Sequence, residues 1–175
     1  MARARALAAV GDNQGAAAAC DKARVLAFEP KNAQAANNYA RFLGDCPDSR
    51  LRDPKRAVEL AQKAVELAPK DGMTWNTLGV AHYRAGDWKA AIAALNRAEG
   101  LAPDQNGAFD AFFLAMAHWQ LGREAEAQKW WDKALQWTDK NKELLQKNRQ
   151  WAEELDRFRA EAAELLKINK RSTAK

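Results

Sequence analysis

The sequence predicts an all-α protein built from antiparallel helix pairs, and three observations carry that expectation. The stretch from Trp75 to Pro103 holds two short amphipathic segments joined at Gly86-Asp87. Its pattern recurs downstream, where one constant shift carries Leu78 to Leu114, Gly79 to Ala115, His82 to His118 and Gly86 to Gly122. Strand signals are nearly absent, with no long Val, Ile or Thr alternation anywhere.

The central stretch defines the unit. Trp75, Leu78, Gly79 and His82 fall on one face of a first helix, and Ala91, Leu95 and Ala98 on one face of a second. Pro103 ends that second helix. Gly79 and the alanines are small enough for two helix backbones to approach closely, while Trp75 and Leu95 fill the space on either side. One such pair cannot bury its own apolar face, so neighbouring pairs are expected.

Bulk composition agrees. Apolar residues make up 47% and charged residues 29% of the 175, which suits a folded chain and not a disordered one. That length allows one compact domain or a short stack with a continuous core. At the start of the chain the apolar run Ala6 to Val10 stops at Gly11-Asp12. A secretory signal core needs about 7–15 residues, so no signal is read there. No apolar run approaches the roughly 18 residues of a membrane span. Cys20 and Cys46 form neither a disulfide framework nor a CxxC motif. They are read as free thiols, and a cytoplasmic location is expected.

Taken in order, residues 1–30 read as a degenerate helix pair or partial repeat. Segments 2–10 and 13–27 meet at Gly11-Asp12, and Ala16, Cys20 and Ala23 repeat the spacing of Ala91, Leu95 and Ala98. The first segment is short, which fits either an atypical end cap or a piece cut from a longer protein. Residues 31–69 form the next unit. Asn32 is its N-cap, and Ala36, Tyr39, Ala40 and Leu43 line the inner face of a helix over 33–44. A polar loop, Asp45 to Arg52, follows. Asp53-Pro54 then opens a helix as N-cap and first residue, with Ala57, Ala61 and Ala64 inward and Pro69 at the exit.

Residues 70–104 are the central unit and 105–139 the third full one, where Trp131 stands in the place of Leu95 and Ala134 in that of Ala98. Residues 140–168 differ. Leu144, Trp151, Leu155, Phe158, Ala162 and Leu165 form a narrow apolar seam along a single long helix, interrupted by Asn148. The opposite face is charged, with pairs such as Glu153 and Arg157 four apart. This helix is read as a cap over the end of the stack, with a dimerising coiled coil or a bridge to another domain as the alternative. Residues 169–175 are a polar tail.

The pattern Trp75, Leu78, Gly79, His82, Ala91, Leu95, Ala98, Pro103 resembles the tetratricopeptide repeat, a unit of about 34 residues. His82 takes that repeat's Tyr slot and Leu95 its Phe slot, and the resemblance covers residues 11–139. It implies a right-handed superhelical solenoid of helix pairs, closed here by the long C-terminal helix. The loop from Asp45 to Arg52 is longer than the repeat's usual turn. Cys46-Pro47-Asp48, Leu51 to Pro69 and Ala152 to Leu166 are also similar to segments of planctomycete-type bacterial signalling proteins. In those multidomain proteins such repeats lie C-terminal to Ser/Thr kinase or WD-repeat domains.

Chemistry-bearing clusters are scarce. His82 and His118 share a slot in successive units, and no third or fourth ligand clusters with them, so both are read as packing residues. Gly79 and Gly86 serve packing and turning, and no phosphate-cradling loop appears. The chain is expected to be non-enzymatic, with no cofactor and no metal.

What remains is surface. In the repeat family the first helices line a concave groove that holds a partner segment. Transferred slot by slot, the groove comprises Gln34, Asn37, Asn38 and Arg41, then Met73, Asn76, Thr77, Val80, Tyr83 and Arg84, then Phe109, Phe112, Phe113, Met116, Trp119 and Gln120. It runs from polar to aromatic, and aromatic and Met side chains commonly anchor partners. Phe109 and Phe113 stand where the chaperone-tail version of the fold needs basic residues, which argues against recognition of that tail. Either the aromatic end is open, or Trp151, Leu155 and Phe158 cover Phe112, Met116 and Trp119. In the second case the seam Trp151, Leu155, Phe158 and Leu165 caps the stack or pairs two copies as a homodimer.

The formal net charge is +5, and residues 140–175 hold ten Lys and Arg against six Asp and Glu. These charges alternate in sign, as on a solvated face, which argues against nucleic acid as the partner. A protein or peptide partner in the groove is the expected function. Self-association through the C-terminal helix is the alternative.

Overall fold

In the computed structural model, residues 30–46, 48–102 and 107–167 are described. The expected helix pair over 1–30 and the tail 169–175 lie outside them, apart from Pro30, as do Cys20 and Pro103. Among the described residues the chain is entirely helical, with eight α-helices, one short 3-10 helix and no strand. It divides between Leu101 and Ala102 into two compact units.

The first unit opens with α1, Ala33–Asp45. Asn32 caps it by accepting from the Ala35 N–H at 2.8 Å, and Ala36, Ala40 and Leu43 are fully buried along its inner face. The loop that follows is pinned rather than loose. Asp48 accepts from the backbone and guanidinium of Arg50 as the chain enters a 3-10 turn, Ser49–Leu51. Arg52 Nε donates to the Cys46 carbonyl at 2.6 Å, and the Asp53 N–H returns to the Leu43 carbonyl.

Next comes α2, Pro54–Leu67, with Asp53 accepting from the Arg56 N–H and Pro54 in the first turn. α3, Gly72–Arg84, is capped by Asp71, and α4 spans Trp88–Leu101. Between them Gly86 sits at φ +84°, a left-handed conformation that glycine adopts without penalty. α1 packs on α2 and α3 on α4, and α3 also lies against both α1 and α2. Leu43, Leu60, Leu78 and Ala81 form the shared core, with Trp75 packed at its edge.

Gly79 is where α3 meets α4. A Cβ there would stand 2.5 Å from Leu95 Cγ and 3.2 Å from the Leu95 backbone nitrogen. Trp75 is half-buried, and its indole N–H donates to the Pro69 carbonyl at 2.9 Å, tying α3 to the end of the preceding helix.

The second unit begins with α5, Gly107–Gln120, and α6, Glu124–Lys140, joined by a turn in which Gly122 repeats the left-handed conformation at φ +71°. Every residue from Asp110 to His118 is buried, so α5 is enclosed around nearly its whole circumference, its polar Asp110 and His118 included. Gly107 lies against the Trp137 indole, and a Cβ would overlap that ring.

The single long helix expected beyond residue 140 is two helices. α7, Lys142–Lys147, ends at Asn148, and α8 runs Arg149–Leu165. Asn148 leaves helical geometry at φ −127° and ψ 80°, and its side chain accepts from the Trp151 N–H at 3.3 Å. Asparagine favours this capping role over a helix interior, and the break lets α8 return to pack on α5.

Candidate partner-binding surface

On the first unit, the predicted surface residues lie on α1 and α3, and the structure sorts them by burial. Arg41 is exposed and Asn76 half-buried, whereas Val80 and Tyr83 are buried. Asn37 is 5% exposed, with its Oδ1 lacking a hydrogen-bond partner. Gln34 and Asn38 bond to each other at 2.9 Å on the exposed side of α1.

Arg84 is structural. Its Nη2 lies 2.8 Å from Asp45 Oδ1 and its Nε 3.2 Å from the same oxygen, with side-chain exposures of 12% and 7%. Sequence reasoning missed Asp45. Asp45 and Arg84 close α1 and α3 respectively, so the signal available was opposite charge at the last residue of successive first helices.

On the second unit the aromatic residues are spent inside. Phe112 and Met116 are fully buried, and Phe112 meets Trp131 edge to face at 5.4 Å between ring centroids. Phe113 meets Phe158 at 4.8 Å, and Phe109 meets Phe158 at 6.2 Å and Trp151 at 6.3 Å. The α5 rings that meet Trp151 and Phe158 are thus Phe109 and Phe113, whereas the arrangement expected from the sequence puts Phe112, Met116 and Trp119 opposite them. Phe109 and Phe113, one turn apart, face α8, while Phe112 turns toward α6. Along the seam Leu155 and Phe158 are buried, Leu165 half-buried, and Trp151 40% exposed. Trp119, near the end of α5, is half-buried.

Burial of the opposite kind governs the titratable groups. The His118 side chain is buried without a partner for Nδ1, and burial, then Arg123, holds its pKa below the usual imidazole value. Burial does the same to His82. Burial pushes the Cys46 thiol up, away from a reactive thiolate. Among the described residues, no three of His, Cys, Asp and Glu gather as a metal-holding group, and no helix is long and apolar enough to cross a membrane.

Two family models, each described as the tetratricopeptide repeat, match residues 49–106 and 111–141. The chain carries tetratricopeptide repeats. The first match takes in α2, α3 and α4, and the second takes in most of α5 together with α6. The packing of Gly79 on Leu95, and of Phe112 on Trp131, lies inside these matched repeats.

Among curated proteins, Superkiller protein 3 of Schizosaccharomyces pombe is 34% identical over 67 residues, covering 38% of this chain and 5% of that protein. Protein FlbA of Caulobacter vibrioides is 30% identical over 96 residues, covering 55% of this chain and 15% of that protein. The matched region is therefore a small part of either relative. The crystal structure of MamA superposes with a TM-score of 0.57 and 21% identity over 96% of both chains, a likeness of fold alone.

Proposed function

We propose that this repeat protein is a non-catalytic interaction scaffold whose partner is a protein segment lying on the α1 and α3 face. The observation that carries this reading is the contrast between the units. The first unit leaves Gln34, Asn38, Arg41 and part of Asn76 accessible on its first helices, whereas Phe112 and Met116 of the second are consumed by the core. The Asp45–Arg84 pair locks α1 to α3. A face held in this way binds with little ordering cost on the scaffold side.

A polar face of this kind suits an extended segment whose backbone amides and acidic side chains meet Asn76 and Arg41. The test is to select peptides from a random displayed library against the folded chain and to map a selected peptide by backbone amide NMR. Shifts concentrated in residues 34–41 and 73–80 support the reading. Shifts confined to residues 107–120 refute it.

Self-association through Trp151, Leu155, Phe158 and Leu165 is the second reading, favoured by the 40% exposure of Trp151. A nucleic-acid adaptor would instead show affinity falling steeply with salt. We further propose, from the resemblance read in the sequence over Cys46-Pro47-Asp48, Leu51 to Pro69 and Ala152 to Leu166 alone, a place within a longer bacterial, cytoplasmic chain. In that setting the repeats would bring a partner to an attached domain.

A further inference from the structure

The apolar seam and the helices do not share boundaries. Leu144, Asn148, Trp151, Leu155, Phe158, Ala162 and Leu165 alternate four and three apart, the stripe of one continuous coiled-coil-like helix. The chain nevertheless breaks that stripe at Asn148, the single residue between α7 and α8. Leu67, Leu144 and Trp151 are the large hydrophobic side chains left exposed among the described residues. Two of the three flank the break on this stripe. The stripe residues beyond it, Leu155, Phe158 and Ala162, are buried where α8 lies on α5. The fold therefore buries the middle of the seam and leaves Leu144 and Trp151 largely open to solvent, with one edge of Trp151 against Phe109.

We propose that the Phe109 and Phe113 face of α5 is a seat for α8 that two copies of this chain can exchange, with Asn148 as the hinge that selects between them. In the closed form Asn148 caps α8 and the helix folds back onto its own α5. In the exchanged form residues 142–165 make one unbroken helix, which carries Phe158 away from its own seat and into that of a second copy. The exchange is reciprocal and closes as a two-fold dimer.

A tethered helix competes at an effective concentration on the order of mM, so the closed form prevails while the hinge is intact. What the exchanged form adds is a straight helix on which Leu144 and Trp151 join the buried stripe. The outer side of α8, with Glu153, Asp156, Arg159 and Glu164 exposed, remains solvated in either form. The inference deepens the self-association reading and is independent of the α1 and α3 face.

The experiment uses the full chain with Asn148→Ala, and Asn148→Gln as a second helix-favouring variant, leaving the rings of the seat in place. Light scattering reads the mass, and a mixture of differently isotope-labelled copies reads, by filtered NOE between Phe158 and Phe113, whether α8 rests on its own α5 or on that of a second copy. With Asn148 intact, the monomer mass and an NOE within one copy are expected. With either hinge variant the mass is expected to double and the NOE to run between copies. A hinge variant of monomer mass overturns both the exchange and the self-association reading. A doubled mass with the NOE still within one copy overturns the exchange while retaining self-association through paired seams.

Discussion

Arg84 and Asp45, 39 residues apart in the chain, meet at 2.8 Å in a nearly buried ion pair that ties the end of α3 to the end of α1. Removing one partner takes the opposite charge away from the other in a site that water barely reaches. Asp45→Ala or Arg84→Met is expected to cost about 3–5 kcal/mol, whereas replacing both with apolar residues returns most of it. Urea unfolding of the two single variants and the double variant checks this. Equal losses that simply add in the double variant would show that the pair is uncoupled.

Thr77 presents the reverse case. It is 2% exposed, and its hydroxyl has no hydrogen-bond partner. A buried unsatisfied donor costs about 1–3 kcal/mol, so Thr77→Val, of nearly the same shape, is expected to leave stability unchanged or raise it. Thermal unfolding reads the result, and a clear fall in midpoint would mean that the hydroxyl is satisfied.

Gly79→Ala is expected to destabilise the first unit by about 1–3 kcal/mol, because the new methyl meets the Leu95 side chain and its backbone nitrogen. The Leu95 side chain can yield but the backbone cannot. Adding Leu95→Val is therefore expected to recover only part of the loss in denaturant melts, and full recovery would place the conflict in the side chain alone.

Much of this was legible in the sequence because its chemistry is local. Asn32 and Asp53 cap their helices as side chains of that type do, and Gly86 and its counterpart Gly122 sit in turns, where the structure adds that both are left-handed. Asn148 was visible as a flaw in the seam but not as a break. Seven-residue periodicity reads continuously through one polar residue, and only the return of α8 to α5 reveals the end of α7. The register of α5 was hidden for another reason. A helix buried around most of its circumference carries no periodic signal to say whether Phe109 or Phe112 faces α8. The Asp45–Arg84 pair depends on how two helices stack, which neighbouring residues do not encode.

Stability should fall in mild acid. Burial lowers the pKa of both His82 and His118 in the folded chain. The unfolded chain therefore binds protons first as pH drops below the ordinary imidazole value near 6.5. Stability is full above that value and is lost progressively from there down to the lower folded pKa. Replacing both with Tyr, the residue the repeat pattern places in that slot, is expected to flatten the unfolding midpoint between pH 7.5 and 5.5. An unchanged slope would trace the loss to other groups.

The α1 and α3 face is proposed to receive the partner, while α8 occupies Phe109 and Phe113 of α5 and α6 occupies Phe112. The most direct measurement is the affinity, by calorimetry, of one selected peptide for the unmodified chain, for Arg41→Ala and for Phe109→Ala. At least about a tenfold loss, or 1.4 kcal/mol, is expected for the Arg41 variant and no change for the Phe109 variant. Loss at Phe109 with Arg41 indifferent would place the partner on the aromatic end and contradict the proposal.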